Sequence, residues 1–387
     1  MSATPAGARA HTPNPNLRVL IAAFVNTDHP GVLRKVHEQT VALREHVPNT
    51  IGVAIGDNSR QVPVKDLACA YVHVPGGAYT AISRAACFHV LWEVVQKVQP
   101  DIVYFRYPMY DSHVLRLVRE VPGIVFEVQT KAESELSKAA AALDNSYALQ
   151  VLPKARGIVA VTDEILAYEQ RRGGCARPGY VMPNGMNAES IAFTPFKRSG
   201  EAEIEMVCAA QFAQWHGIDR ILAGMALADD ATRQGVLLHL AGEGDVVASY
   251  KQFVDEFKLG AHVRFYGRLN ADELTPLFER SHIAIGSLAL HRIGLEQLAV
   301  LKNREYCLRG IPFVFAGTDL DFPAELPFVH TFAANDDPVS LASLREFAVT
   351  SSANGALREQ ARSYGEHQLS WRRKMKQLAN FLGSLTD

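Results

Sequence analysis

The chain has 387 residues, of which 48% are hydrophobic and 21% charged, the balance of a folded soluble protein. This excludes a disordered chain, a collagen-like repeat and a small disulfide scaffold, and at roughly 150 residues per domain it predicts two domains or three. Lys+Arg total 39 against 41 Asp+Glu, a formal net charge of −2, which does not suit a protein built to coat nucleic acid or an anionic membrane.

Residues 1–16, rich in Ala, Pro, Thr and Asn and lacking a secretory apolar core, read as a loose tail. Short apolar runs then alternate with longer amphipathic stretches, the pattern of strand–helix units around a parallel sheet. Strands are expected at 17–24, 51–55, 101–106, 124–128 and 157–162, with helices at 32–45 and at 81–99, which Pro100 stops. Residues 188–200 are polar and read as an interdomain linker, giving a first domain at 17–190 and a second at 200–356. Strands of the second are expected at 205–210, 236–240, 263–266, 283–287 and 313–316. A polar helix over roughly 357–382, in a terminal segment 357–387, is expected to pack back on the first domain. The five cysteines, Cys69, Cys87, Cys175, Cys208 and Cys307, lie far apart with no C-x-x-C pair. They read as reduced, mostly buried thiols in a reducing cytoplasm. No stretch approaches the ~18–20 uninterrupted apolar residues of a membrane span, so a cytoplasmic protein, or one attached only to a membrane surface, is expected.

Two doubly wound domains in series place a ligand cleft between them, because such sheets bind at the carboxyl ends of their strands. Dehydrogenases, periplasmic-type binding proteins, epimerases and nucleotide-sugar transferases all satisfy that architecture, so other residues must decide. Asn184-Gly185 is a turn where the first domain closes. Gly242-Glu243-Gly244 follows a strand and precedes a helix, a fragment of a phosphate-binding loop or simply a tight turn. Periodicity makes the segment from Leu301 a helix ended by Gly310 and Pro312. A carboxylate there can accept both hydroxyls of a ribose while neighbouring cations meet a diphosphate. The alternative for Lys302, Arg304 and Glu305 is a solvated, salt-bridged face.

Asn184-Gly185-Met186-Asn187, Trp215-His216-Gly217, Gly242-Glu243-Gly244, Phe265-Tyr266-Gly267 and Arg304-Glu305-Tyr306 through Gly310-Ile311-Pro312 occur in that order. In this the chain resembles the retaining GT-B glycosyltransferases of the large family-four type, the group of bacterial capsule, lipopolysaccharide-core and mannosyl transferases. The resemblance implies an α/β fold of two Rossmann-like domains facing across a cleft. It also implies transfer of a sugar from a nucleoside diphosphate sugar to a hydroxyl of a glycan or lipid-linked acceptor, with no metal and no cofactor beyond the donor.

By that resemblance Glu305 is the second glutamate of the E-x7-E motif and binds the ribose. Eight positions earlier stands Gln297, with Glu296 beside it, either of which is to face the donor sugar. The positions of the phosphate-binding pair hold Gln211 and His216, so Lys302, Arg292 or Arg304 is left to supply the charge. Gly217, Gly242 and Gly244 line the donor loops, and Glu127, at a strand end of the first domain, either orients and deprotonates the acceptor hydroxyl or pairs with Arg106. Asp319-Leu320-Asp321 reads as a loop turn rather than a metal-binding D-x-D. If the acceptor is lipid-linked, Arg34, Lys35 and His37, or the loop from Arg171 to Arg177, are expected to touch the inner membrane face. Two other readings remain: a catalytically degenerate partner of another transferase, and a nucleotide-sugar epimerase.

Overall fold

The computed structural model describes residues 16–25, 30–57, 68–78, 80–198 and 202–386. The expected tail, except Asn16, lies outside the described residues. The chain divides into two compact units, one of residues 1–183 and 371–387 and the other of residues 184–370.

The first unit holds strands β1 (Val19–Val25), β2 (Thr50–Gly56), β3 (Cys69–His73), β4 (Ile102–Arg106), β5 (Ile124–Val128), β6 (Gly157–Ala160) and β7 (Gly179–Val181). They form one sheet in the order β3-β2-β1-β4-β5-β6-β7, every pairing parallel. β1 is apolar throughout and almost wholly buried, as a strand covered on both faces must be. The order reverses between β1 and β4. One face is covered by helices Pro30–Arg44 and Trp371–Ser384. The latter inserts Trp371, Met375, Leu378 and Leu382, spaced three to four residues apart, among Val36, Leu43, Val19 and Ile21.

The second unit holds β8 (Ile204–Ala209), β9 (Val236–Ala241), β10 (Val263–Gly267), β11 (Ile283–Ile285), β12 (Gln297–Leu298), β13 (Phe313–Ala316), β14 (Thr318–Asp319) and β15 (Val329–Phe332). Six form a parallel sheet in the order β10-β9-β8-β11-β13-β15, and β12 with β14 makes a separate short ladder. Here the order reverses between β8 and β11, the topological switch point at which open α/β sheets bind ligands.

Two expected boundaries move. The first unit closes at Pro183 rather than in the polar stretch 188–200, because 188–198 already packs on the second unit: Thr194 N donates to Arg309 O at 2.9 Å and Lys197 N to Glu279 O at 2.7 Å. The expected terminal helix is two helices. Leu357–Gln368 stays in the second unit, burying Leu357, Ala361 and Gly365, and only the segment from Trp371 returns to the first.

Candidate functional site

The switch point of the second sheet is built by the loop after β8 and by helix Leu301–Arg309. The loop is zipped to its neighbour after β9, with Ala210 N donating to Ala241 O (3.0 Å) and Phe212 N to Glu243 O (2.6 Å). A Cβ on Gly242 would lie 1.7 Å from Ala210 O, and one on Gly244 1.8 Å from Phe212 O. These glycines therefore serve the approach of two loops, and the Gly242 N–H is already given to Gly267 O at 2.6 Å. Gly217, at φ +66°, turns the chain into helix Ile218–Leu227, and a Cβ there would sit 2.9 Å from the Cβ atoms of Leu288 and Ala289.

His216 is buried beside this turn. Its Nδ1 lies 2.9 Å from Ala213 N and 3.2 Å from Ala213 O; in the shorter contact the Ala213 N–H donates, the tautomer with the ring proton on Nε2. Burial, with the Lys302 charge adding to it, lowers its pKa to about 3. The imidazole is thus a neutral N–H donor. Gln211 is exposed at the start of the same loop.

Helix Leu301–Arg309 is anchored by Tyr306, whose hydroxyl donates to Ile285 O and accepts from Ala209 N, both at 3.4 Å. Those are the last residues of β11 and β8. Side chains four apart share a helix face, so Lys302 lies one turn before Tyr306 over the same strand ends. Its Nζ is buried with no hydrogen-bond partner among the described residues, and burial lowers its pKa. Asn303 beside it is fully buried, and its carboxamide atoms have no hydrogen-bond partner among the described residues.

Arg304 and Arg292, both expected to supply charge at the donor, are engaged by carboxylates of the fold. Arg304 is fully buried: Nη1 and Nη2 grip Asp319 at 2.7 and 2.8 Å, Nη2 also donates to Asp321 (2.6 Å), Nε to Asn184 O (3.0 Å) and Nη1 to Val300 O (3.1 Å). Two carboxylates hold it protonated against the penalty of burial. The Asp319-Leu320-Asp321 turn is the acceptor of this guanidinium, and Asn184 adds a bond from Nδ2 to Ala299 O at 2.8 Å. Arg292 is likewise bound to Asp219 and Asp336, each at 2.7 Å. Both arginines thus fix loops, a role legible only once their carboxylates are located.

Glu305 is half-buried, its side chain 33% exposed, and paired with Arg309 at 2.7 Å one turn on. Gln297 stands in β12 opposite Thr318; Glu296 is exposed and its carbonyl accepts Thr318 N–H at 3.1 Å. In the first unit Glu127 is almost fully buried. It accepts from Gln39 Nε2 at 2.7 Å and pairs with Lys35 Nζ at 3.1 Å. Burial pushes its pKa up, but the charges of Lys35 and Arg106 outweigh that and hold the carboxyl below its usual range. The carboxylate thus pairs directly with Lys35 rather than with Arg106, a contact that orders this end of the sheet.

The residues expected at a membrane face differ in their surroundings. Lys35 is buried against Glu127. Arg172, from the 171–177 loop, is enclosed by Asp144, Glu169 and the rings of Tyr107, Tyr110 and Tyr168. Arg34 pairs with Glu38 (2.9 Å), and His37 Nδ1 accepts Ala68 N–H (2.9 Å). Among the described residues no helix is long and apolar enough to cross a membrane, and no group of three or more His, Cys, Asp or Glu is placed to hold a metal ion.

Residues 192–297 match the family model for glycosyl transferases group 1, a segment that includes the loop after β8 and ends just before the Lys302 helix. HepE from Anabaena, solved with UDP, is 12% identical and aligns over 95% of this chain and 100% of its own at a TM-score of 0.68. The fold is GT-B. Sucrose-phosphate synthase from Thermosynechococcus elongatus (15% identity, 93% and 97% coverage, TM-score 0.68) shares it. So does WaaG, a glycosyltransferase involved in lipopolysaccharide biosynthesis (14%, 94% and 99%, TM-score 0.62). No curated protein matches the chain.

Proposed function

We propose that this GT-B protein is a retaining, metal-independent glycosyltransferase. Its donor is a nucleoside diphosphate sugar and its acceptor a hydroxyl of a glycan or lipid-linked saccharide in cytoplasmic polysaccharide assembly. The observation that carries the reading is Lys302: an ammonium buried without a partner costs free energy that an anionic ligand at the switch point would recover. The group 1 match over the adjoining loops and the UDP held by HepE support a nucleotide as that ligand.

In this reading the diphosphate lies between the amino-terminal ends of helices Ile218–Leu227 and Leu301–Arg309, where unpaired backbone N–H groups favour anions. Glu305 accepts the ribose hydroxyls, and Gln297 or Glu296 meets the donor sugar. The leaving phosphate takes the acceptor proton on the face it departs from. The retaining course rests on the resemblance. A thermal-shift screen with UDP, GDP, ADP and dTDP tests the reading, because a ligand bound only by the native state raises the melting point. No shift with any of them would refute it.

One set of observations favours a second reading, a degenerate partner protein: Gln297 carries no charge, and Arg292 and Arg304 are consumed by carboxylates. Donor binding without turnover by the wild type, together with donor hydrolysis by Gln297→Glu, would favour it.

A further inference from the structure

The first unit buries a cluster of ionisable groups that has no part in binding a donor. Helices Lys138–Val151 and Asp163–Gly173 bring two fully enclosed carboxylates, Asp144 and Glu169, onto one guanidinium, Arg172. Arg172 donates Nε and Nη2 to the two oxygens of Glu169 at 2.9 and 3.1 Å. Its Nη1 donates to Asp144 and, at 3.0 Å, to Asn145 Oδ1. Both carboxylates also hold the loop after β4. Asp144 accepts the Tyr107 hydroxyl at 2.6 Å and the Tyr110 backbone N–H, and Glu169 accepts the Tyr110 hydroxyl at 3.0 Å. Between those tyrosines Met109 stands at φ +65°, a left-handed conformation that a residue other than glycine keeps where its surroundings hold it. Arg84 Nη2 adds a further hold, donating to Met109 O at 2.7 Å.

The charges do not balance. An arginine is always protonated, so two ionised carboxylates leave one net negative charge enclosed. The other titratable groups about Glu169 are Tyr107, Tyr110 and Tyr168, whose hydroxyls burial keeps neutral, and Glu133, which bonds Tyr168 and Asn145. None of these supplies a second cation. Burial, helped by the Asp144 charge, pushes the Glu169 carboxyl up to about 7 against the pull of Arg172 and the Tyr110 hydroxyl.

We infer that Glu169 is a proton-operated lock on the Tyr107–Asp111 loop: protonated, it leaves Arg172 to Asp144 and the loop stays clasped, and ionised, it sets a buried negative charge against the clasp and the loop opens to water. Between 4.5, the ordinary carboxyl value, and about 7 the closed cluster binds a proton that a hydrated Glu169 releases. Closure is therefore strongest at the acid end and weakens as the pH rises through 7. The loop leaves β4 where the strand order of the first sheet reverses, the place at which such sheets take ligands. On the transferase reading that is the acceptor side; this consequence alone rests on that reading, and the lock does not.

Amide hydrogen exchange at Tyr110, whose N–H ends on Asp144, reads the lock in the full chain without substrate. Corrected for the intrinsic rate at each pH, its opening should rise by up to about tenfold per pH unit between about pH 5 and 7 and level off above. Glu169→Gln, neutral at every pH, should hold Tyr110 at the acid wild-type level throughout. Carboxyl-carbon NMR of glutamate-labelled wild type should show one glutamate titrating near 7, a signal absent from the variant. Opening that ignores pH in the wild type, or that changes equally in a folded Glu169→Gln protein, overturns the lock. Where that variant does not fold, the wild type decides: a glutamate titrating together with the Tyr110 opening supports the lock, and none titrating near 7 overturns it. These outcomes leave the donor reading standing, and that reading falls separately if the wild type binds no nucleotide.

Discussion

Lys302 and Arg304 stand two residues apart on one helix, yet replacing them by methionine should move stability in opposite directions. Arg304 is buried and bound bidentately to Asp319, which is itself fully enclosed, with a second bond to Asp321. Arg304→Met strands the Asp319 carboxylate and frees the carbonyls of Asn184 and Val300. Breaking a buried pair from one side costs about 3–5 kcal/mol. At ~2–4 °C per kcal/mol for a unit of this size, the melting point should fall by roughly 6–20 °C. Lys302 has no partner to strand. Lys302→Met removes an unsatisfied buried ammonium and keeps the aliphatic stem, so the nucleotide-free protein should gain about 1–3 kcal/mol, or roughly 2–12 °C. Differential scanning calorimetry of both variants without nucleotide is the assay. Refutation is plain: a Lys302→Met variant less stable than the wild type means that the ammonium has a stabilising partner. An Arg304→Met variant within about 1 kcal/mol of wild type would mean that the Asp319 clasp holds nothing.

Glu305→Ala should cost roughly 1.5–3 kcal/mol of nucleotide binding with the fold retained, and Glu305→Gln less, since one acceptor oxygen remains; unchanged calorimetric affinity in both would move the ribose elsewhere. Burial sets the Lys302 pKa below its ordinary 10.5, so between those values the unfolded chain binds more protons than the folded one. Stability without nucleotide should therefore rise with pH across that window while nucleotide affinity falls. Lys35, lowered to about 8 mainly by burial, adds to the stability trend, so the part absent from Lys302→Met melts is the Lys302 contribution. Glu127→Gln should destabilise the first unit by about 1–3 kcal/mol, because Lys35 loses its buried partner. A kcat loss in this variant without any change in melting would place Glu127 in the chemistry.

What was legible in the chain follows from where burial is complete. β1, β4, β5, β8, β9 and β13 are covered on both faces, so they appear as mainly apolar runs, interrupted only at Glu127, Glu205 and His239 and ended in β4 by Arg106, and each expected strand falls within two residues of its place. Of the unforeseen strands, β3, β7 and β15 lie at the edges of the two large sheets, and β12 and β14 pair only with each other. There one side lacks a neighbour, and sequences such as Cys69-Ala70-Tyr71-Val72-His73 carry no such run. The site divides in the same way. Periodicity and Gly310 locate the helix that carries Lys302, Arg304 and Glu305, but helix geometry treats its cations alike until their surroundings are known. Arg304 meets carboxylates 15 and 17 residues on, delivered by a turn after β13 that no local pattern ties to it. Lys302 meets the end of a strand almost a hundred residues earlier, through the anchor at Tyr306. A buried cation becomes structural or ligand-binding according to whether the fold supplies its counter-charge, and that is decided by tertiary contacts. Of the two cations, only the one the fold leaves unpaired has free energy to gain from a phosphate.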